Sequence, residues 1–266
     1  MKINIVGMGV MGCQIASLLY LLGYDVAVTT RSGVNEKKMH RSNKILRKFL
    51  DVDSNKLGSV KFCKDISDLY DACTIESVAE DLLLKKEIYS CVREFTKKPF
   101  ASNTSSFRPS EIASDVVGLH FFNPIHLKFV EVINNSANKF PDEIIFDLEQ
   151  ANFSIINVED NRGYIGNYLL FHEIGAALKL VDKYGYSSET IKMMYNNLYP
   201  NRDIFSILDL IGLDIAQKIF HNLHEKDRSI YLPKCIDDAI NLGILGRKNK
   251  TSILDVLDKH HGEYTK

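Results

Sequence analysis

The chain has 266 residues, of which 45% are hydrophobic and 25% are charged, the balance of an ordinary globular protein. This composition excludes a disordered chain, a collagen-like fibre and a small disulfide-stapled domain. With 33 basic and 34 acidic residues, the net charge of −1 gives no bulk attraction for nucleic acid or a membrane surface, so neither is expected as a partner.

The five cysteines are irregularly spaced and contain no Cys-x-x-Cys pair, which favours free thiols in a reducing compartment over disulfides or a zinc site. No bound metal is therefore expected. The N-terminal residues lack the pattern of a signal peptide, and no apolar stretch reaches about 18 residues, the length of a membrane span. The predicted location is the cytoplasm.

The first 30 residues predict a strand, a glycine-rich turn, a helix and a second strand, which together form a βαβ unit. Residues 3–6 and 25–29 have the β-favouring composition of short strands. Residues 14–22 carry apolar side chains at helical spacing, and Gly23 ends that helix.

The turn reads Gly7-Met8-Gly9-Val10-Met11-Gly12, the Gly-x-Gly-x-x-Gly spacing of dinucleotide-binding loops. Gly7 permits the tight turn, Gly9 lets the backbone approach a pyrophosphate, and Gly12 allows the helix to pack closely on the sheet. The helix start offers N–H groups and a partial positive charge to the anion. With Val10 and Met11, these glycines form the predicted cofactor loop; the alternative is a glycine-rich turn in another kind of α/β protein.

The second strand ends in Thr29-Thr30-Arg31-Ser32, where a site selective for NAD carries a carboxylate for the ribose 2′-hydroxyl. No carboxylate follows until Glu36. The guanidinium of Arg31 matches a phosphate, and the hydroxyls of Thr30 and Ser32 can also donate, which indicates NADP. The alternative is a solvated arginine with NAD as the cofactor, and both interpretations stay open.

Predicted strands and helices continue to alternate as far as residue 133. The later strands cover residues 60–63, 73–78, 99–102, 118–122 and 129–133, and the helices cover residues 35–48 and 82–95. After residue 160 the pattern becomes helical, at residues 164–180, 188–198, 204–221 and 235–242. We therefore predict an α/β protein: a doubly wound Rossmann-type parallel sheet domain over residues 1–160, followed by an all-helical C-terminal domain over residues 161–266.

A histidine and a glutamate stand in two neighbouring apolar stretches. His120 lies within Gly118–Pro124, and Glu131 follows eleven positions later within residues 129–133. Because a buried charge needs a partner, the two indicate a His–Glu pair on neighbouring strands. Such a pair fixes the imidazole tautomer and stabilises its charged form. The alternative is a histidine that is simply satisfied within the core.

The chain resembles the L-3-hydroxyacyl-CoA dehydrogenase family in the order of its motifs. These are the glycine loop, Ile75-Glu76-Ser77-Val78-Ala79-Glu80-Asp81, Lys85, Ala101-Ser102-Asn103-Thr104-Ser105-Ser106, Gly118-Leu119-His120-Phe121-Phe122-Asn123-Pro124, Val130-Glu131-Val132-Ile133 and Gly163-Tyr164-Ile165-Gly166-Asn167. The Ser-Asn-Thr-Ser-Ser and Gly-Leu-His-Phe-Phe-Asn-Pro stretches together are far more specific than the glycine loop.

The resemblance implies a catalytic role for four residues. His120 is the base that takes the hydroxyl proton as hydride leaves C3 of the substrate, and it is the acid in the reverse direction. Glu131 holds and polarises His120. Ser105 hydrogen-bonds the reacting oxygen beside the nicotinamide, and Asn167 helps to orient the substrate.

The resemblance also implies NAD as the cofactor, contacted by Glu80, Lys85 and Asn123. The active site is expected in the cleft between the two domains, and the helical domain is expected to form a homodimer. The apolar stretch at residues 204–213 fits either a partner surface or simple core.

Several departures from the family pattern leave the acyl carrier open. Thr30 stands at the acidic ribose-binding position, Gly166-Asn167-Tyr168 replaces Val-Asn-Arg, and residues 246–254 lack the aromatic end. The segment between the second and third strands, an arm over CoA in the family, aligns poorly. Three hypotheses remain: a dehydrogenase of acyl-CoA, a dehydrogenase of another 3-hydroxy acid, and a non-catalytic dinucleotide-binding protein. The first is favoured because all four catalytic residue types are present.

Overall fold

The computed structural model describes residues 1–31, 33, 36–50, 56–134, 139–200 and 202–260, except for the side chains of 258–260. The chain divides into two compact units, Met1–Tyr164 and Ile165–Lys266. The boundary expected from the sequence, between residues 160 and 161, stays a prediction. None of the helices in the described part combines the length and the apolar character needed to cross a membrane.

Within the residues that the structure describes, the first unit is built on a sheet of eight strands. These are β1 Lys2–Val6, β2 Asp25–Thr29, β3 Val60–Phe62, β4 Cys73–Glu76, β5 Phe100–Ser102, β6 Val116–Phe121, β7 Phe129–Ile133 and β8 Ser154–Asn157. Their order across the sheet is β3-β2-β1-β4-β5-β6-β7-β8. All neighbours are parallel except β6 and β7, which run antiparallel.

Helices cover both faces of this sheet. They are α1 Val10–Leu21, α2 Glu36–Leu46, α3 Leu82–Phe95, α4 Pro109–Ile112 and α5 Asp142–Gln150. Because successive side chains of a strand point to opposite faces, Val26 and Val28 pack in the cluster of α1, α2 and α5, while Ala27 packs in the cluster of α3 and α4. Burial on both faces explains why the central strands are apolar runs rather than alternating sequences.

The strand order reverses at β1, which lies between β2 and β4. In doubly wound sheets a ligand binds beyond the carboxyl ends of the strands at such a reversal. Gly7 follows β1 directly, and Ser77 follows β4. The predicted dinucleotide loop therefore stands at the position where this topology places a ligand.

Two features of the sheet were not predicted. Strand β8, which follows helix α5, extends the sheet beyond β7. It was not predicted because it is an edge strand whose side chains are mostly exposed and show no apolar alternation. The antiparallel pairing of β6 with β7 has a direct cause. Only seven residues separate Phe121 from Phe129, which is too short for the crossover that a parallel neighbour requires.

The second unit is helical throughout its described residues. Its helices are α6 Gly166–Tyr184, α7 Ser188–Leu198, α8 Ile204–Ile211, α9 Leu213–Lys226, α10 Lys234–Asn241 and α11 Leu254–His260. The single helix predicted over 204–221 was wrong, because Gly212 has a φ of +95° and separates α8 from α9. Ile204, Phe205 and Leu208 are buried in the unit's own core, so most of this apolar stretch is core. The predicted fold class, a doubly wound sheet followed by helices, is confirmed.

Candidate active site

The glycine loop joins β1 to α1, and its glycines are required for different reasons. Gly7 has a φ of +101°, and a Cβ there would collide with the backbone of Ser77. A Cβ on Gly12 would collide with the carbonyl oxygen of Gly7, so Gly12 lets α1 lie close to the loop. A Cβ on Gly9 would meet nothing within 4 Å, which leaves open space above its backbone.

That open side of the loop fits a pyrophosphate. Gly9 is the N-cap of α1 and has no side chain that could cap the helix. The N–H groups of a first helical turn have no partners within the helix, so they are offered to an anion here. Val10 is 66% exposed at the same turn, and Met11 is half-buried. These residues would hold the dinucleotide if it binds at the predicted loop.

The residues after β2 lie at the same edge of the sheet. The Thr29 hydroxyl donates to the carbonyl oxygen of Lys64, 3.4 Å away, which ties the end of β2 to the chain after β3. Thr30 is half-buried and Arg31 is exposed. Ser32, the third residue of this predicted ribose site, lies outside the described residues.

Glu80 and Lys85, both predicted to contact the cofactor, belong to a buried charge cluster with Glu76. The Lys85 ammonium donates to the Glu76 carboxylate at 2.9 Å and lies 3.3 Å from Glu80 Oε2. Burial alone would lower the pKa of Lys85, but the charges of Glu76 and Glu80 outweigh burial and raise it. Lys85 is only 1% exposed, and its predicted contact with the cofactor stays a prediction.

The other oxygen of Glu80 organises the Ser-Asn-Thr-Ser-Ser segment. Glu80 Oε1 accepts hydrogen bonds from the Thr104 hydroxyl at 2.6 Å, the Ser105 N–H at 3.0 Å and the Ser106 N–H at 2.9 Å. Burial would raise the pKa of Glu80, but Lys85 and these donors outweigh burial and lower it. The backbone of Ser105 is thus held by an ionised carboxylate.

Replacing Glu80 with glutamine is expected to destabilise the protein by about 2 kcal/mol at neutral pH, because several hydrogen bonds to a charged acceptor weaken. The lowered pKa means that this stabilisation is present above the ordinary value of about 4.5 and is lost as the pH falls. The difference between Glu80→Gln and wild type should therefore shrink in acid.

Denaturant unfolding between neutral and acid pH measures this difference. Glu87→Gln is the matched control, because Glu87 is an exposed carboxylate on the same helix, α3. A difference between Glu80→Gln and wild type that does not change with pH would contradict the ionised state of Glu80.

His120 and Glu131 stand directly opposite each other on the antiparallel strands β6 and β7. His120 Nδ1 is 2.8 Å from Glu131 Oε2, and the residues are 4% and 2% exposed. The carboxylate occupies Nδ1, so Nε2 is the ring nitrogen left for a substrate. The hydrogen-bonded pair inferred from the two apolar stretches is therefore present.

Aromatic rings surround the imidazole, and one of them was missed by the sequence reasoning. The ring centroids of Phe122 and Tyr164 lie 4.4 and 5.4 Å from that of His120. The Tyr164 hydroxyl donates to the carbonyl oxygen of Phe107 at 3.1 Å, just after the Ser105 segment. Burial and nearby carboxylates, Glu80 first among them, raise the pKa of Tyr164 well above 10, so this hydroxyl stays a donor. Only its place in the Gly-Tyr-Ile motif could have pointed to Tyr164.

Asn123 is exposed in the turn after β6 and accepts a hydrogen bond from Gln14 of α1, at 3.1 Å. Gln14 also accepts from the Ile125 N–H at 2.7 Å. Nothing in the sequence singled out Gln14, because an amide in a helix is usually an ordinary surface residue. These two bonds tie the helix of the dinucleotide loop to the turn that follows His120.

Asn167 belongs to the second unit, where it is 6% exposed in the first turn of α6. Gly166 is the first residue of that helix. At this end position the glycine does not carry the cost of about 1 kcal/mol that it has in a helix interior. Among the described residues, no group of three or more His, Cys, Asp or Glu side chains is placed to hold a metal ion.

Comparison with known proteins gives consistent matches along the chain. Residues 2–146 match the family model of the 3-hydroxyacyl-CoA dehydrogenase NAD binding domain, and residues 163–256 match the model of the C-terminal domain of the same enzymes. The chain is 29% identical to 3-hydroxybutyryl-CoA dehydrogenase of Clostridioides difficile, over 96% of this chain and 99% of the relative. It is 27% identical to the mitochondrial hydroxyacyl-coenzyme A dehydrogenase of Sus scrofa, over 85% of this chain and 80% of the relative.

A solved structure shares the fold. The crystal structure of a (S)-3-hydroxybutyryl-CoA dehydrogenase from Ralstonia eutropha superposes with a TM-score of 0.78 at 23% identity. The superposition covers 95% of this chain and 97% of that one. Both the sheet unit and the helical unit thus have counterparts in a known architecture.

Proposed function

Because this chain belongs to the 3-hydroxyacyl-CoA dehydrogenase family, we propose that it interconverts an L-3-hydroxyacyl-CoA and a 3-oxoacyl-CoA, with NAD as the hydride carrier. The observation that carries this proposal is the buried His120–Glu131 pair, in the same unit as a loop that fits a dinucleotide. Glu80 accepts a hydrogen bond from the Ser105 N–H. Gln14, on the helix that follows the loop, bonds to Asn123 in the turn after His120.

His120 moves the proton in this reaction. In the oxidative direction, Nε2 accepts the proton of the C3 hydroxyl while the C3–H bond breaks and the C3–O bond becomes a carbonyl. The bound nicotinamide supplies the hydride acceptor. Glu131 keeps the second proton on Nδ1 and stabilises the imidazolium that forms. In the reductive direction the same Nε2 returns its proton to the alkoxide oxygen.

Two further residues act on the substrate in this proposal. The Ser105 hydroxyl donates a hydrogen bond to the reacting oxygen. The Glu80 contact supports this role because it holds the Ser105 backbone. Asn167 orients the acyl group, a role that rests on its place in the family motif. Glu80 and Lys85 serve the cofactor site by holding the Ser105 segment in place.

Coenzyme A is the proposed acyl carrier. Exposed cations cover α2 and the residues after it: Lys37, Arg41, Lys44, Arg47 and Lys48. Helix α2 packs on α1 at the Ser17 hydroxyl, which donates to the carbonyl oxygen of Met39 at 3.3 Å. These cations suit the phosphates of coenzyme A. The alternative substrate is a 3-hydroxy acid without coenzyme A.

The decisive experiment compares NADH oxidation with acetoacetyl-CoA, acetoacetyl-pantetheine and free acetoacetate. The first compound should give the highest kcat/KM, and its advantage should fall as salt screens the cations of α2. Equal or better activity with free acetoacetate would favour the alternative substrate. No turnover by a protein that still binds NADH would favour a non-catalytic role.

We propose that Arg31 extends cofactor use to NADPH by binding its 2′-phosphate. Arg31→Asp should then lower kcat/KM for NADPH by about tenfold or more, because a charge-assisted contact is replaced by repulsion, while kcat/KM for NADH changes little. Parallel kinetics with both cofactors measure the ratio. Arg228→Asp is the control, since Arg228 is an exposed arginine in the other unit. An unchanged ratio would make Arg31 a solvated surface charge.

A homodimer formed through the helical unit is also proposed. Helix α7 exposes an apolar surface in which Met194 and Leu198 are neighbours one turn apart, and Leu198 is 62% exposed. Leu198→Glu should convert a dimer into a monomer in size exclusion with light scattering at micromolar concentration. Leu83→Glu is the control, because Leu83 is an equally large exposed residue in the first unit. A monomeric wild type would contradict the dimer.

We also propose a cytoplasmic location. All five cysteines are free thiols, and Cys13, Cys63 and Cys235 are buried. Burial raises the pKa of the Cys13 thiol, so it stays protonated and inert. A chain with five unpaired thiols fits a reducing compartment.

A further inference from the structure

Gln14 makes two hydrogen bonds that together fix the orientation of its side-chain amide. The Ile125 N–H can only donate, so the atom 2.7 Å from it must be the Gln14 oxygen. The opposite end of the same amide, Nε2, can only donate, and it lies 3.1 Å from Asn123. The atom of Asn123 that faces Gln14 is therefore its acceptor, Oδ1.

This orientation also determines where the other end of the Asn123 side chain points. With Oδ1 turned towards Gln14, the Nδ2 group of Asn123 points away from α1. Asn123 is exposed, and within the described ranges Nδ2 has no protein acceptor. Gln14 thus holds Asn123 as a hydrogen-bond donor rather than as an acceptor.

We propose that Gln14 is a positioning residue for the cofactor: it presents Asn123 Nδ2 to an acceptor oxygen of the bound nicotinamide dinucleotide. Gln14 lies two positions after Gly12, on the helix that begins at the dinucleotide loop, so Asn123 is tethered beside that loop. The inference rests on the proposed function for the identity of the ligand.

Gln14→Glu tests the proposal because glutamate has the same shape and the opposite polarity at one end. One carboxylate oxygen still accepts from Ile125 N–H, but the other now requires a donor from Asn123. Asn123 should therefore turn its amide and present Oδ1 to the ligand. The dissociation constant of NADH, measured by fluorescence titration without an acyl substrate, should rise about threefold to tenfold.

An Asn123→Ala background separates this effect from simple charge repulsion. If Gln14 acts through Asn123, Gln14→Glu should have little effect on NADH binding once Asn123 is alanine. Equal weakening in both backgrounds would overturn the proposal, because it would mean that the new charge repels the pyrophosphate directly. Gln14→Met, which is neutral and removes both hydrogen bonds, should weaken NADH binding less than Gln14→Glu does.

Thermal unfolding and kinetics complete the test. Gln14→Glu and wild type should share an unfolding midpoint, and KM for NADH should rise while kcat stays near the wild-type value. A fall in kcat at unchanged KM would also overturn the proposal. Absence of turnover in wild type would contradict the proposed function alone, because the binding titrations need no substrate.

Discussion

His120→Ala is expected to lower kcat for acetoacetyl-CoA reduction by about 10³-fold, because general acid–base catalysis contributes roughly 10² to 10⁴ and the variant lacks the imidazole that moves the proton. The ring stands on the buried strand β6 with its Nδ1 already bound to Glu131. Removing it leaves the glycine loop untouched, since that loop is formed by β1, α1 and the end of β4. The dissociation constant of NADH should therefore change little.

The His120→Ala measurement needs kcat from steady-state kinetics and the NADH dissociation constant from titration, on the same preparation. His221→Ala is the matched control, because His221 is an exposed histidine on α9 in the helical unit. A His120→Ala variant with wild-type kcat would remove His120 from the chemistry. A variant that no longer binds NADH would instead indicate a folding defect, which thermal unfolding detects.

Glu131→Gln is expected to lower kcat by about 10²-fold to 10³-fold, with a smaller change in the KM of acetoacetyl-CoA. The amide has nearly the shape of the carboxylate, so it can remain in the buried position opposite His120. It carries no charge, however, and it no longer stabilises the imidazolium that forms when His120 takes a proton. It can also turn its NH₂ group towards Nδ1 and favour the wrong tautomer.

Glu143→Gln is the control for Glu131→Gln, because Glu143 is an exposed carboxylate on α5 of the same unit. The double variant with His120→Ala is the more informative comparison. If Glu131 acts only through His120, adding Glu131→Gln to His120→Ala should cost no further activity. A further large loss in the double variant would show that Glu131 acts on the reaction by another route.

The parts of this structure that could be predicted from the sequence are those in which local pattern and chemistry agree. The glycine loop has a required spacing, and each of its glycines has a steric reason visible in the fold. The His120–Glu131 pair could be inferred because buried charge is costly without a partner. The first strands could be found because a sheet covered on both faces leaves apolar runs.

The parts that could not be predicted depend on contacts between distant segments. Gln14 meets Asn123 across more than a hundred residues, and its helix position alone gives no sign of this. The resemblance assigned Lys85 to the cofactor, but no local pattern shows that the fold buries it between Glu76 and Glu80. Gly212 lies inside an apolar run with helical spacing, and only the structure shows that its backbone ends α8.

We propose that this chain transfers hydride between NAD and C3 of an acyl-CoA, with His120 carrying the proton. The most direct measurement uses NADH with deuterium at both C4 positions and follows the label into the product of acetoacetyl-CoA reduction. Wild type should form 3-hydroxybutyryl-CoA with one deuterium at C3, and His120→Ala should lose this activity. NADH that binds but is not consumed, or product without deuterium at C3, would rule out hydride transfer to C3 of the acyl-CoA.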